Sequence, residues 1–595
     1  MSFHPNAVAR RARVALMLIG GALTFLLMAF FRTQIIRNQE WSLRSEENRL
    51  REVPLPAPRG NIFDRSGKII AENIVGYTVS ILPQSQAALR ETLDRVSRMV
   101  SLSPGEIDAA MRRYRRSPVR PTVILPDASF DEISVLEEHR IDLPNLIIQS
   151  APKRFYPAGS AVATFVGSIG EGSDSELASP AFAGYKPGQQ VGKQGLEREY
   201  EAALRGREGS RFVEVDARGR VVRDVGARED LEPQQGAPLY TNIDLDLQKY
   251  VAQLFGDSLI GGAVAMDPRT GAVLAMYSGP SWDPNRFVGG VSIAYYDSLL
   301  SDPRRPLYNK VTQGVYPPGS TWKLATALIG LEDSLVTMDA HMPEPCTGEY
   351  YYGDRYWKCH DLNGHGNLTL AEAIEKSCDI YFYQLGLKLG LSRLIAGGRR
   401  LGFDSPSGID LPEDSKPRFP DRLKYFDEKY GPRGWTQGAT VMNMAIGQGE
   451  NAQTVIDMAR FYAALAENGQ EPTPEIAATK PPERRQLFSL SPTQEDDVRA
   501  ALIGVARAGG TAASAQIKGV LLAGKTGTAQ TGIRKNGVEL NHAWFAGFAP
   551  ANDPKILVVV MIEFGGEGPR AARAASSIIS YYLKSNVTSL VEAGG

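Results

Sequence analysis

Ser320 and Lys323, in the stretch Val315-Tyr316-Pro317-Pro318-Gly319-Ser320-Thr321-Trp322-Lys323, are spaced for nucleophilic chemistry. Two prolines and a glycine exclude a regular helix before Ser320, and the apolar run Leu324–Leu331 reads as a buried helix after it. Ser320 is therefore expected at the N-cap of that helix, with Lys323 about one turn on and on the same face. A serine hydroxyl is a poor nucleophile until a base takes its proton. A lysine serves as that base where a dry, cationic site lowers its pKa, and free N–H groups at the helix start can receive an oxyanion. The pair alone is not distinctive, since Ser150 and Lys153 repeat the spacing.

Two further elements extend the chemistry. Ser377-Cys378-Asp379 precedes the apolar Ile380-Tyr381-Phe382-Tyr383, and the Ser377 hydroxyl could pass a proton between Lys323 and a leaving amine. Ser129/Asp131 and Ser281/Asp283 fit the same pattern, so this element is weak on its own. Lys525-Thr526-Gly527-Thr528 follows an apolar strand expected over Gly519–Ala523. A lysine and two hydroxyls on a strand can hold a carboxylate, and the glycine would let a substrate backbone approach.

Cys346, Cys359 and Cys378 are the only cysteines of the chain, and His360 and His365 lie among them. An odd cysteine count is unusual for a disulfide-bonded extracytoplasmic protein. The cluster suggests a structural zinc site of Cys346, Cys359, His365 and Cys378, with Asp354 or His360 as substitute ligands. One disulfide plus a buried thiol, or three reduced thiols, are the other readings. Because Cys378 lies inside the second element, such a metal would brace that loop and would not activate water. No cofactor is expected for the chemistry itself.

These residues must be positioned by a chain of 595 residues with 66 Lys+Arg against 67 Asp+Glu, a balance that offers no basic field for nucleic acid. Val14–Phe31 carries no charge over 18 residues and follows Arg10, Arg11 and Arg13. It reads as one transmembrane anchor with residues 1–13 in the cytoplasm. Bulky Met28, Phe30 and Phe31 stand where a cleavage site would need small residues. Residues 32–235 read as an elongated α/β pedestal and interaction module. It has a helical stretch over Gln34–Val53, a hairpin turn at Arg65-Ser66-Gly67 and helical patterns over 85–150. A charged helix follows Gly192, and Phe212–Asp216 alternates as a strand. Residues 236–595 show strands at Gly262–Met266, Ala272–Tyr277, Gly519–Ala523, Ala543–Phe548 and Ile556–Ile562. A helix is expected at Ala571–Leu583, and a helical insert holds Ser320. The expected fold is multi-domain α+β: one membrane helix, the pedestal, and a mostly antiparallel five-stranded sheet flanked by helices with a helical subdomain.

The order Ser-x-x-Lys, Ser-x-Asp, Lys-Thr-Gly, at a helix start, an inter-helix loop and a strand, resembles the motif set of penicillin-binding transpeptidases. Pro58-Arg59-Gly60-Asn61-Ile62-Phe63-Asp64-Arg65, Gly192-Lys193-Gln194-Gly195-Leu196-Glu197 and Tyr316-Pro317-Pro318-Gly319-Ser320 extend the resemblance to class B penicillin-binding proteins. Asp379 where the division type usually has Asn, together with Gly447-Gln448-Gly449, favours the elongation type; no Ser-x-Asn triplet occurs. The resemblance implies a peptidoglycan D,D-transpeptidase acting through an acyl-Ser320 intermediate, a target of β-lactams, with stem pentapeptide as substrate. It assigns Lys323 as base, Ser377 as proton relay and the backbone N–H groups of Ser320 and Thr528 as oxyanion hole. Asp379 is carried over as a second-motif residue that only accepts hydrogen bonds. Lys525, Thr526 and Thr528 would hold the terminal carboxylate beside Gly527. It further implies zinc near the cysteines in some members, a SEDS-family glycan polymerase and an elongation scaffold protein as partners, and a bacterial inner-membrane protein with its bulk in the periplasm. A division-type transpeptidase, a D,D-carboxypeptidase or β-lactamase, and a non-catalytic β-lactam-binding scaffold are the alternatives.

Overall fold

The computed structural model describes residues 5–38, 50–82, 85–118, 120–143, 145–215, 221–223 and 229–592. A helix, Pro5–Phe31, exposed over residues 9–31, continues as a π-helical turn over Arg32–Ile36. Within the span Ala9–Ile36 an 18-residue window reaches a mean hydropathy of 2.4, and the helix is long and apolar enough to cross a membrane.

The helix expected over Gln34–Val53 gives way at its C-terminal end to a strand, Leu50–Leu55, which pairs antiparallel with Gly209–Val215. Its partner lies far away in sequence, beyond the reach of a local pattern, and as an edge strand it tolerates Pro54. The rest of that expected helix, residues 39–49, and Asp216 lie outside the described residues. The Arg65-Ser66-Gly67 turn joins Ile62–Phe63 to Ile69–Ile81, and Asp64 ties it by accepting the N–H groups of Ser66 and Lys68. Ile69–Ile81 runs antiparallel to Leu146–Phe155, with Thr122–Leu125 on its other side. Three helices, Gln86–Met99, Pro104–Arg116 and Phe130–Glu138, each begin at a serine cap and bury Leu89, Leu93, Val96 and Leu136 against Val79 and Ile81.

The pedestal's base is fused to the C-terminal domain. Leu239–Tyr240 pairs parallel with Ile62–Phe63, and Ile62, Ile70, Tyr156 and Leu196 share one core with Val264 and Met266. A buried ion network lies at this joint. Glu197 is fully buried and receives Arg154 at 2.6 Å and Arg59 at 2.8 Å, and Arg59 also meets Glu201 at 2.8 Å. The helix after Gly192 is thus short, Gly195–Glu199, and turns its central charge inward.

The C-terminal domain holds an antiparallel sheet in the order Val273–Gly279, Gly261–Met266, Ile556–Ile562, His542–Ala549, Ala523–Ala529. Alternating residues of its central strand serve two cores. Val558 and Val560 face the helices Leu245–Phe255 and Gly568–Glu592, whereas Leu557, Val559 and Met561 face the helical subdomain with Phe461 and Tyr462. The fifth strand is not Gly519–Ala523 but Ala523–Ala529, so the Lys525-Thr526-Gly527-Thr528 element is the strand itself. Only Thr526 and Thr528 of its seven residues are β-branched, two being alanine and two glycine, and pairing and close packing against the domain's other elements make it a strand.

Candidate active site

Ser320 lies in a single 3-10 turn, Gly319–Trp322, that feeds the helix Lys323–Glu332. It is therefore inside the first turn, and the N-cap position belongs to Pro318. Long-range contacts fix this turn. Trp322 is fully buried against Phe403 and Phe419, the Tyr462 hydroxyl donates to Thr321 O at 2.9 Å, and the Gly319 N–H donates to Gly447 O at 3.0 Å. A Cβ on Gly447 would collide with the Gly319 carbonyl, which accounts for the glycine.

Lys323 is fully buried, and its ammonium is taken up by the second element. It donates to Asp379 Oδ1 at 2.8 Å, to Ser377 O at 2.6 Å and to Ser377 Oγ at 3.3 Å. Among the described residues the Ser320 side chain makes no hydrogen bond, so Lys323 engages Ser377 rather than Ser320. Ser377 has a φ of 57°, a left-handed conformation costing about 1–3 kcal/mol for a residue with a side chain. It is held by the Lys323 bonds and by its own N–H to Ile374 O at 3.2 Å. Asp379 meets its role as an acceptor in full, since Oδ2 takes the backbone N–H of His360 at 2.9 Å. Burial pushes the Asp379 carboxyl up, but Lys323 and His360 outweigh it and the net shift is down.

Lys525 is completely buried, not solvated. Burial first, and then the neighbouring charge of Lys323, depress its pKa well below the ordinary lysine value. Its Nζ donates to Thr526 O at 3.2 Å. Thr526 and Thr528, two apart, share the opposite strand face. Thr526 Oγ1 pairs with Thr511 Oγ1 at 2.6 Å, and Thr528 Oγ1 accepts the Gly568 N–H at 3.2 Å. Gly527 clears space for the protein's own backbone: a Cβ there would stand 2.8 Å from Pro318 O and 3.2 Å from Thr321 N. The missing side chain gives the serine turn room to pack against this strand. As the sheet edge, this strand pairs with His542–Ala549 on one side and abuts the serine turn on the other.

Thr511 and the His360 backbone join the site unannounced by any local motif. Glu563 does so too: it accepts the Tyr316 hydroxyl at 2.6 Å just before the serine turn. No short-range signal could have found these pairs, because each joins segments distant in sequence.

The cysteine cluster forms. All three cysteines are free and buried, and one ligand atom from each of Cys346, Cys359, His365 and Cys378 lies within 4.8 Å of the others. His365 Nδ1 is 3.5 Å from both Cys346 Sγ and Cys359 Sγ. A tetrahedral ion with Zn–S near 2.3 Å and Zn–N near 2.05 Å has S···N edges of ~3.5 Å, so the donor set fits zinc. His360 Nδ1 lies 3.9 Å from Cys359 Sγ and 3.5 Å from Asp379, forming a second donor group with those two residues, and Asp354 stands outside both groups at the tip of the hairpin Glu349–Tyr352/Arg355–Lys358.

The sequence profile described as the penicillin-binding protein transpeptidase domain matches residues 261–580, and the penicillin-binding protein dimerisation domain matches residues 54–241. The peptidoglycan D,D-transpeptidase MrdA of Haemophilus influenzae is 32% identical over 97% of this chain and 92% of its own. Among solved structures, the complex of Helicobacter pylori PBP2 with MreC aligns with a TM-score of 0.77 at 26% identity, covering 90% of this chain and 99% of that one. A structure described as coordinating polymerization and crosslinking in a peptidoglycan synthase complex aligns with a TM-score of 0.68 at 28% identity, covering 96% and 97%. With a pedestal fused to a three-element serine site and likeness along nearly its whole length, the chain belongs to the class B penicillin-binding proteins, in the elongation-type branch of peptidoglycan D,D-transpeptidases.

Proposed function

We propose that the chain cross-links peptidoglycan stem peptides through an ester on Ser320. The observation that carries this reading is the junction of Lys323 with Ser377 and Asp379, beside the buried Lys525. Ser320 Oγ attacks the carbonyl carbon of the penultimate D-Ala, and its proton passes to Lys323 as that lysine releases one through the second element. Ser377 Oγ delivers a proton to the departing D-Ala nitrogen. Backbone N–H groups of Ser320 and Thr528 receive the oxyanion, and Lys525, Thr526 and Thr528 hold the terminal carboxylate. An acceptor amine then attacks the ester, the amide forms and Ser320 recovers its proton. A β-lactam carbonyl enters the same path and leaves a stable acyl-serine.

Incubation of the full chain with nascent, uncross-linked peptidoglycan tests the reading. Cross-linked dimers with release of D-Ala are expected, and are absent with Ser320→Ala. Release of D-Ala with tetrapeptide monomers alone would favour a carboxypeptidase.

Cys346, Cys359, His365 and Cys378 would hold a structural zinc ion, a reading supported by their S···N edges. That ion would tie the Glu349–Lys358 hairpin to the second element, whose Cys378 is a ligand. About one zinc per chain is expected by elemental analysis, lost together with thermal stability in Cys359→Ser. Arg10, Arg11 and Arg13 ahead of the apolar helix support a reading in which the N-terminus is cytoplasmic and the catalytic domain periplasmic. Likeness to the MreC-bound protein and to the synthase complex supports an MreC-type scaffold and a SEDS-family polymerase as partners of the pedestal and helix.

A further inference from the structure

A second cleft adjoins the loop that braces Ser320. Helix Gln437–Ala445 runs on into Gly447-Gln448-Gly449. There the Gly447 carbonyl receives the Gly319 N–H at 3.0 Å, and the Gln448 N–H returns to Asn443 O at 2.9 Å. Thr436, Thr440 and Asn443, spaced along one face of this helix, line an open cleft of about 460 Å³ together with Gly449. Tyr430, the last residue of helix Lys424–Tyr430, and Trp435 line it too. The tip of the Glu349–Lys358 hairpin borders it with Gly353 and Arg355. Gly438 leaves room for the Tyr352 hydroxyl, so this hairpin rests on the helix.

The two aromatic side chains are fixed by their polar ends. The Tyr430 hydroxyl donates to the buried Glu450, which also accepts Lys429 and the Tyr425 hydroxyl. The Trp435 Nε1–H donates to Asp427 at 2.9 Å, and its ring packs on Phe426 with centroids 5.0 Å apart. The polar atoms of both residues are thereby spent within the protein, and what they offer the cleft is apolar ring. The helix wall is the reverse. Thr436 stands at the N-cap without capping, and neither its hydroxyl, the Thr440 hydroxyl nor the Asn443 amide makes a hydrogen bond among the described residues. Held rings beside free hydroxyl and amide groups match a pyranose, whose axial C–H bonds form an apolar face and whose equatorial hydroxyl and acetamido groups form a polar edge.

We propose that this cleft binds an N-acetylated glycan strand, with sugar faces on Tyr430 and Trp435 and ring substituents hydrogen-bonded to Thr436, Thr440 and Asn443. It rests on the transpeptidase reading above, in which the stem peptide that reaches Ser320 hangs from such a glycan. Rings already held in place lose little conformational freedom on binding. Residues 443–449 both line the cleft and brace the serine turn, so a strand bound there is kept beside the loop that carries the reaction.

The test is calorimetric titration of the full chain in detergent micelles, on a Ser320→Ala background so that no peptide is turned over. The probes are the neutral tetrasaccharide chitotetraose and, separately, free stem pentapeptide. Saturable binding of chitotetraose is expected, weakened about fivefold or more by Tyr430→Leu, by Trp435→Leu and by Asn443→Ala, and largely kept by Tyr430→Phe, which preserves the ring. Thermal unfolding of each variant alongside establishes that it is folded. Benzylpenicillin acylation is read separately on the wild-type chain. Acylation without saccharide binding overturns this proposal alone, and saccharide binding without acylation overturns the transpeptidase reading alone. Arg355 and Arg433 also line the cleft, which makes an acidic stem peptide the competing occupant. Peptide binding weakened by the same variants, with no saccharide binding, overturns the proposal in favour of that occupant. Chitotetraose affinities equal in the parent and all the variants overturn it as well.

Discussion

Substituting Gly527 by alanine isolates the contact that seats the turn carrying Ser320. Gly527 has an ordinary strand conformation, so the change introduces a methyl group without backbone strain. That Cβ would lie 2.8 Å from Pro318 O, 3.1 Å from Thr321 Cγ2 and 3.2 Å from Thr321 N, all on the turn carrying Ser320. Two of the three are backbone atoms that cannot rotate away. To recover normal separation the turn must withdraw by roughly 0.6 Å. Overpacking of this kind costs about 1–3 kcal/mol of stability. Because reacting groups tolerate little displacement, acylation should slow by on the order of ten- to a hundredfold. The assay is the second-order rate of benzylpenicillin acylation by intact mass, with thermal unfolding alongside. Gly105→Ala is the comparator: its Cβ meets nothing closer than 3.9 Å, and its helical position favours alanine. Wild-type acylation by a folded Gly527→Ala protein would refute the seating of the serine turn on this strand.

The charge proposed to bind the substrate carboxylate is also testable. Lys525 has a pKa lowered by burial and by Lys323, so its positive charge is lost at lower pH than that of a free lysine. Acylation is expected to decline on the alkaline side well before pH ~10.4, and Lys525→Arg should move that limb upward while keeping the charge. The same depressed pKa means the unfolded chain binds the extra proton, so global stability should rise with pH up to the free-lysine value. An alkaline limb unmoved by Lys525→Arg would assign it to another group. At the pedestal joint, Glu197→Ala strands Arg154 and part of Arg59 without countercharge in a buried site, an expected loss of about 3–5 kcal/mol by denaturant unfolding. A loss under 1 kcal/mol would mean that the network is dispensable.

Local chemistry made part of this site readable in the sequence. Pro317, Pro318 and Gly319 forbid helix, the run after Lys323 requires it, and Ser320 therefore had to sit at the junction. Its displacement from N-cap into a 3-10 turn depends on Gly447, Tyr462 and Gly527, all more than a hundred residues away. The third motif was read as following a strand because Ala523, Gly524 and Gly527 carry no strand propensity; packing on both sides supplies what propensity does not. The left-handed Ser377 and its bonds to Lys323 were likewise invisible, since strain appears only once the fold closes around it. The cysteine spacing suggested a cluster and the fold assembles it, whereas Asp354 is carried off by its hairpin turn. The buried Glu197 looked like part of a charged helix, since sequence alone does not tell a solvated charge from one answered by two distant arginines.

The most direct test is the intact mass of the full chain after benzylpenicillin, beside Ser320→Ala. A single long-lived adduct on the wild type, mapped to Ser320 and absent from the variant, is the predicted result. No adduct on folded wild-type protein, or an equal adduct on Ser320→Ala, would contradict the assignment of Ser320 as the nucleophile.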